Sequence, residues 1–305
     1  MSYRTINISK PCKISVKNHN FLYSPVDDNA ISVPISDISI VILETKQVVI
    51  TSPLLSKMAK HNILLFSTDE SHVPNGVFTP FHQHSRFTLV SHLQVEMSIP
   101  LKKKLWQSII KQKIYNQGTT LEQFKTEGHK ELILLSKSVK SGDSSNIESY
   151  SAKAYWSYLF VNFNRRDILD WRNSALNYGY SIIRGAIART ISANGLIPAF
   201  GLHHHNQLNA FNLVDDMIEP FRCFVDMIVF TILKREKIIP YGTILSKEHR
   251  VELLKVFQIK VNISNIETDL LNAVKIAVNS LICSIKEKQQ TLELPSISRN
   301  YNNGE

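Results

Sequence analysis

The chain has 305 residues, enough for two domains of ordinary size, and with 43% apolar and 20% charged residues it reads as a soluble globular protein rather than a disordered or fibrous one. The longest apolar window, Phe224–Leu233, is too short to cross a bilayer and carries Asp226, and the polar start MSYRTINISK is not expected to act as a secretory signal. The net charge of +9 is concentrated: Lys102–Arg166 alone holds 12 basic against five acidic residues, which suits a polyanionic partner as well as it suits a solvated face.

Residues 1–80 read as a small N-terminal β domain. Tyr3–Ile8, Lys13–Val16, Phe21–Tyr23, Ala30–Val33, Ser39–Leu43 and Val48–Ile50 are short β-branched or aromatic runs separated by turn formers. Ser52-Pro53 opens one short helix through Lys60, and Asn62–Phe66 follows as a strand. Residues 81–95 read as a hinge, introduced by Pro74-Asn75-Gly76 and Pro80 and carrying His82 and His84, which could face DNA or a second subunit. From about Gln94 the apolar period changes from two to 3.6, with Leu101, Leu105, Ile109 and Ile110 as the first stripe. Further helices are predicted at Thr120–Lys137, Asn146–Phe160, Asp170–Ala193, Leu213–Leu233, Lys247–Phe257 and Ile266–Lys288, so residues 96–288 form a larger all-α domain and the fold class is α+β. Residues 289–305 are expected to be a flexible tail. Cys12, Cys223 and Cys283 have no zinc or redox spacing and suit a reducing cytoplasm.

Two stretches carry candidate chemistry. Glu148 lies in the first turn of its helix, and Ala152, Tyr155 and Trp156 continue a stripe that places it on or beside the buried face. In Gly201–Arg222, three histidines, His203, His204 and His205, enter a predicted helix on which Asp215, Asp216 and Glu219 fall on one face. Like charges so spaced repel, and a divalent cation would turn that repulsion into ligation. Imidazole with carboxylate is a mixed N/O donor set suited to Mn²⁺, Zn²⁺ or Mg²⁺. Adjacent histidines cannot all aim at one ion, so one or two of the three are expected to ligate. Phosphate-loop, H-E-x-x-H, G-x-S-x-G and G-x-G-x-x-G motifs are missing, which removes the usual ATPase, zinc protease, serine hydrolase and dinucleotide readings.

Four segments together resemble the CRISPR-associated endonuclease/integrase of spacer acquisition, the larger subunit of the adaptation complex. They are Lys104-Leu105-Trp106 through Ile114-Tyr115-Asn116-Gln117, Gly142-Asp143 to Trp156, Asn173-Ser174-Ala175-Leu176-Asn177-Tyr178-Gly179-Tyr180, and Gly201 to Arg222. The likeness covers nearly the whole chain, from Tyr3 to about Ser284, and the Asn206–Asp216 linker with the Asn-Tyr-Gly-Tyr helix points to the type II branch.

The resemblance implies a homodimer formed through β domains and a heterohexamer with a small ferredoxin-like adaptation subunit. It also implies a bacterial cytoplasmic protein with no membrane partner, and the type II effector nuclease and accessory adaptation proteins as further associates. Its substrates would be double-stranded DNA, a prespacer whose 3′-hydroxyl ends are joined to a CRISPR repeat. The family's Gly-x-x-His spacing selects His204 and its D-x-x-E-P-F-R string selects Glu219, so Glu148, His204 and Glu219 are the implied catalytic ligands of Mg²⁺ or Mn²⁺. Asp216, Asn173, Asn177 and Tyr178 are implied to support them. Phosphate contacts are expected from Lys102, Lys103, Lys104, Lys111, Lys113, Arg165 and Arg166. A non-catalytic DNA-binding scaffold of the same complex is the alternative, and a metal-dependent hydrolase of small phosphate esters fits the basic surface poorly.

Overall fold

The computed structural model describes residues 4–78 and 87–298, and the chain divides into two compact units, Met1–Ser85 and Arg86–Glu305. Tyr3, Pro80, His82, His84 and Asn302-Asn303-Gly304 lie outside the described residues. In the first unit the elements run β1 (Arg4–Ile8), β2 (Cys12–Lys17), β3 (Asn20–Pro25), β4 (Ile31–Pro34), β5 (Ile38–Leu43), β6 (Val48–Ile50), α1 (Ser52–Lys60), β7 (Leu64–Thr68) and β8 (Pro74–Phe78). One sheet has the order β1-β5-β7-β8 and the other β4-β3-β2-β6. Strand β5, Ile-Ser-Ile-Val-Ile-Leu, pairs in parallel with β1 and β7 and is buried over its first five residues, as a central parallel strand requires. Asn18 and His19 both take positive φ, the two-residue turn that a tight β2–β3 hairpin favours. Ile8, Ile14, Phe21, Ile38 and Val41 meet Leu54 and Met58 of α1 in one core. Pro74-Asn75-Gly76, read above as a connection, instead begins β8, an edge strand antiparallel to β7, where a proline costs no ladder hydrogen bond.

The second unit is mostly helical. Its elements are α2 (Phe87–Val95), α3 (Ile99–Gln123), α4 (His129–Ser138), α5 (Ile147–Leu159), α6 (Trp171–Ala193), α7 (Asn212–Met217), α8 (Arg222–Glu236), α9 (Lys247–Leu254), β9 (Lys260–Ile263), β10 (Ile266–Asp269), α10 (Leu270–Glu287) and β11 (Ser296–Ile297). Among the described residues no helix is long and apolar enough to cross a membrane.

Four expectations are corrected here. Residues 87–95 of the expected hinge are helix α2, fixed by Gln94, whose Nε2 donates to the carbonyls of Ile197 and Phe200 and whose Oε1 accepts from Ile197 N. The helix predicted from Thr120 is the end of α3 followed by α4, and Gly118 does not break α3 because it lets α4 approach: a Cβ there would stand 2.8 Å from Ile133 Cγ1. Ile266–Asp269 is a strand, since Ser264 and Asn265 take positive φ and turn β9 back on β10, and Asp269 then caps α10. The tail is not loose through Ser298: β11 pairs with β9, and Leu292 and Ile297 are buried.

Candidate active site

Helix α3 is the spine of the site. Trp106, Ile109, Ile110, Lys113 and Gln117 recur at three- and four-residue spacing on its buried face. A lysine on such a face needs a counter-charge, and Lys113 has two: its Nζ lies 2.7 Å from Glu148 Oε1 and 2.6 Å from Glu219 Oε2. Burial would lower the Lys113 pKa, yet Glu219 and Glu148 together raise it, so the ammonium stays charged. Glu148 reaches inward from the first turn of α5, whose start is tied down by Asp143 accepting from the backbone N–H groups of Ile147 and Glu148.

Glu219 begins a tight turn, Glu219-Pro220-Phe221, that separates α7 from α8. Pro220 supplies no N–H, so the helix predicted over Leu213–Leu233 is broken there. Arg222 Nε donates to Glu219 Oε1 at 2.8 Å, which leaves Oε2 to Lys113. Burial pushes the Glu219 carboxyl up, but Arg222 and Lys113 outweigh it and hold it at about 2. The turn is anchored to α3 by the fully buried Asn116, whose Nδ2 donates to the carbonyls of Pro220 and Pro295.

The histidine loop is organised by one carboxylate. Asp216, wholly buried, accepts from the backbone N–H groups of Leu202, His203 and His204 and from Nδ1 of His204 at 2.7 Å. Because a carboxylate only accepts, Nδ1 carries the proton and Nε2 of His204 keeps its lone pair. That hydrogen bond raises the His204 pKa against the opposing effect of partial burial. Gly201 is required by close approach, since a Cβ would fall 2.3 Å from His204 O and 2.7 Å from Asp216 Oδ2. Trp106 of α3 packs on the loop: His203 stacks on it with centroids 4.3 Å apart and planes 1° apart, and His204 meets it edge-on. His205 is exposed and its Nδ1 donates to the His203 carbonyl.

The expectation that Asp215, Asp216 and Glu219 crowd one helical face is corrected. Asp216 turns into the histidine loop, Glu219 joins Lys113 and Arg222, and Asp215 pairs with Arg184 at 2.6 Å, accepts from Asn209 and has its pKa held low by those bonds despite burial. Among the described residues no three His, Cys, Asp or Glu side chains are grouped to hold a metal ion; the two carboxylates that converge do so on the Lys113 ammonium. Asn173 and Asn177 bond Arg165 rather than any ligand, and Tyr178 is fully buried in α6. Of the predicted phosphate contacts, Lys103, Lys104 and Arg166 are exposed and Lys102, Lys111 and Arg165 are half-buried. Lys113 is the exception, being buried within the site. Arg222 and Trp106 are the residues that sequence reading passed over. The α3 stripe could have shown Trp106 and Lys113 to be inside together, since they are seven apart.

Two cavities flank these groups. One of about 210 Å³ is lined by Lys113, Gln117, Trp156, Arg165, Tyr180, Glu219, Arg222 and Asp226. Asp226, fully buried, is pushed up to about 6 by burial even though Tyr180 and Tyr155 donate to it. The other, about 420 Å³, opens beside His204 and His205 and is lined by Lys102 and the amides of Gln94, Asn206, Gln207, Asn209 and Asn212.

Comparison with known proteins gives a concordant result. The family model described as CRISPR associated protein Cas1 matches residues 6–258. A CRISPR-associated endonuclease Cas1 from Neisseria meningitidis serogroup C is 34% identical over 299 residues, covering 97% of each chain. Among solved structures, a casposase bound to its integration product superposes with a TM-score of 0.77 at 18% identity, over 99% of this chain and 95% of that one. A Cas6-RT-Cas1–Cas2 complex superposes with a TM-score of 0.69 at 17% identity, over 98% of this chain and 36% of that one.

Proposed function

Because this chain belongs to the Cas1 family of CRISPR-associated proteins, we propose that it is the nuclease and integrase of a CRISPR adaptation machinery. In this reading it joins the 3′-hydroxyl ends of a prespacer duplex to a CRISPR repeat by transesterification, with Mg²⁺ or Mn²⁺ at the site. The observation that carries the reading is local. Two carboxylates from distant segments, Glu148 and Glu219, converge on one cation, and a buried aspartate holds Nδ1 of His204. That donor set fits a hard divalent ion, with Lys113 standing where positive charge is wanted, and Glu148, Glu219 and Nε2 of His204 would hold it. When bound, the ion would supply Lewis-acid polarisation of the scissile phosphate.

The chain's own residues do the rest. Arg222 keeps Glu219 ionised and aimed, Asp216 keeps His204 in the tautomer that leaves Nε2 open, and Trp106 limits the swing of the imidazoles. Lys102, Lys103, Lys104, Lys111, Arg165 and Arg166 offer charge to DNA phosphates. One phosphodiester replaces another, so no nucleotide hydrolysis is needed to drive the step. The casposase bound to an integration product and the Cas6-RT-Cas1–Cas2 complex support DNA and Cas2 as partners, and in this reading the DNA is double-stranded and the small adaptation subunit is ferredoxin-like. The homodimer, the heterohexamer, contact with a type II effector nuclease and accessory proteins, and residence in the bacterial cytoplasm complete the proposal.

The test incubates the protein, with and without its small partner, with a 3′-hydroxyl duplex and a supercoiled plasmid carrying the repeat, in Mn²⁺, Mg²⁺ or EDTA. Joined product that needs metal and disappears in His204→Ala is the expected result. Product persisting in a Glu148→Ala, Glu219→Ala double variant would sink the reading. The neutralisation of both acids by Lys113 and Arg222 favours a second reading, a DNA-binding scaffold without chemistry, which tight DNA binding with no joining under any metal would establish.

A further inference from the structure

We propose that Lys113 is a displaceable internal cation: its ammonium holds Glu148 and Glu219 together until a divalent ion takes the pair, and it then turns into the adjoining cavity to meet a phosphate of the bound strand. This rests on the metal-dependent reading above.

The geometry makes ammonium and ion mutually exclusive. Lys113 Nζ stands 2.7 Å from Glu148 Oε1 and 2.6 Å from Glu219 Oε2, the two oxygens that face each other across the gap. An ion held by the same two carboxylates would need the place the ammonium occupies, so the two could not be there together. The other Glu219 oxygen is already taken by Arg222, so that carboxylate stays aimed when Lys113 leaves. Lysine suits such a role better than arginine. It is a compact point charge on a flexible four-carbon stem, whereas a guanidinium would grip the carboxylates in a fixed fork.

The exit is also present. Lys113 lines the cavity of about 210 Å³ that Gln117, Arg165, Tyr180 and Arg222 share. Arg165 and Arg222 share that space with Glu219 and Asp226, and once an ion has taken Glu219 a third cation entering it leaves positive charge in excess unless an anion comes too. A strand phosphate is such an anion. The arrangement therefore couples the two ligands: metal releases Lys113, DNA receives it, and each should tighten the other.

The experiment measures Mn²⁺ binding by calorimetry, without DNA and with a duplex ending in 3′-deoxynucleotides, for wild type, Lys113→Met, Lys113→Arg and Glu148→Gln. A thermal melt of each in EDTA and in Mn²⁺ accompanies it. Without DNA, Lys113→Met is expected to bind Mn²⁺ about tenfold more tightly than wild type, a size usual for coupled ligands, and to gain the larger thermal shift from the metal. Lys113→Arg, which keeps the charge, is expected to bind it about tenfold more weakly. The duplex should tighten Mn²⁺ binding in wild type and much less in Lys113→Met. Should Lys113→Met not fold, the Lys113→Arg comparison decides. Wild type that binds Mn²⁺, loses it in Glu148→Gln, and yet is matched by Lys113→Met or Lys113→Arg would overturn the displacement alone. Mn²⁺ binding equal in wild type and Glu148→Gln would overturn the metal reading and this proposal with it.

Discussion

Asp216 collects N–H groups from three successive residues and the ring of His204, so it acts as the scaffold of the histidine loop before it acts on any ligand. Asp216→Asn replaces one acceptor by a donor facing those N–H groups, and the buried donors left unpaired should cost about 2 kcal/mol or more. The deficit should also depend on pH. Because Asp216 raises the His204 pKa, the pair contributes fully below the ordinary imidazole value near 6.5 and loses its contribution as pH rises through the elevated one. Thermal melts in EDTA should therefore show a wider gap between wild type and variant at pH 6 than at pH 9; a gap constant with pH would mean the ring bond adds nothing. At this scale the sequence singled out Glu148, His204 and Glu219 by a spacing shared with a family, and the structure brings Glu148 and Glu219 together on Lys113. It did not disclose which acid serves which partner. Counting by helical period put Asp215, Asp216 and Glu219 on one face, whereas α7 ends at Met217 and Glu219 opens a separate turn leading into Pro220.

Among the elements, the short terminal strand has consequences out of proportion to its two residues. β11 pairs with β9, Pro295 O accepts from Asn116 Nδ2, and Asn116 also holds Pro220 next to Glu219. Gln123 of α3 donates to Ser298 O, a second tie between tail and spine. Ending the chain after Gln290 removes the buried Leu292 and Ile297, each worth about 1.5–3 kcal/mol, and leaves half of a buried amide unpaired. Such a truncation should lower the melting temperature and loosen the Glu219 turn, seen as faster proteolysis near Pro220, while ending the chain after Ser298 keeps every contact named here. Equal melting of the two truncations would show that the tail carries no load. Strands β1 to β7 were legible almost residue by residue, because β-branched runs between turn formers are a local signal, whereas β8, which opens on Pro74-Asn75-Gly76, was not. The tail was not, since its polar composition says nothing of a strand partner more than thirty residues away in sequence.

Over the whole molecule, charge decides what the surface can bind. The lysines of α3 read in sequence as one basic run, but the helix sorts them: Lys103 and Lys104 face solvent, Lys102 and Lys111 are half-buried, and Lys113 is neutralised inside. Counterion release predicts that each lysine touching a DNA phosphate adds about 0.9 to the slope of log affinity against log salt. The Lys102→Gln, Lys103→Gln, Lys104→Gln triple variant should flatten that slope by up to about 3, measured by fluorescence anisotropy on a duplex in EDTA. Lys113→Met under the same conditions should leave the slope unchanged, because an ammonium already shared by two carboxylates releases no counterion from DNA. A triple variant as steep as wild type would make the basic face a solvated surface only. A Lys113→Met slope that fell with the triple variant's would mean that the ammonium reaches DNA without metal, and the division of labour along α3 would have to be redrawn.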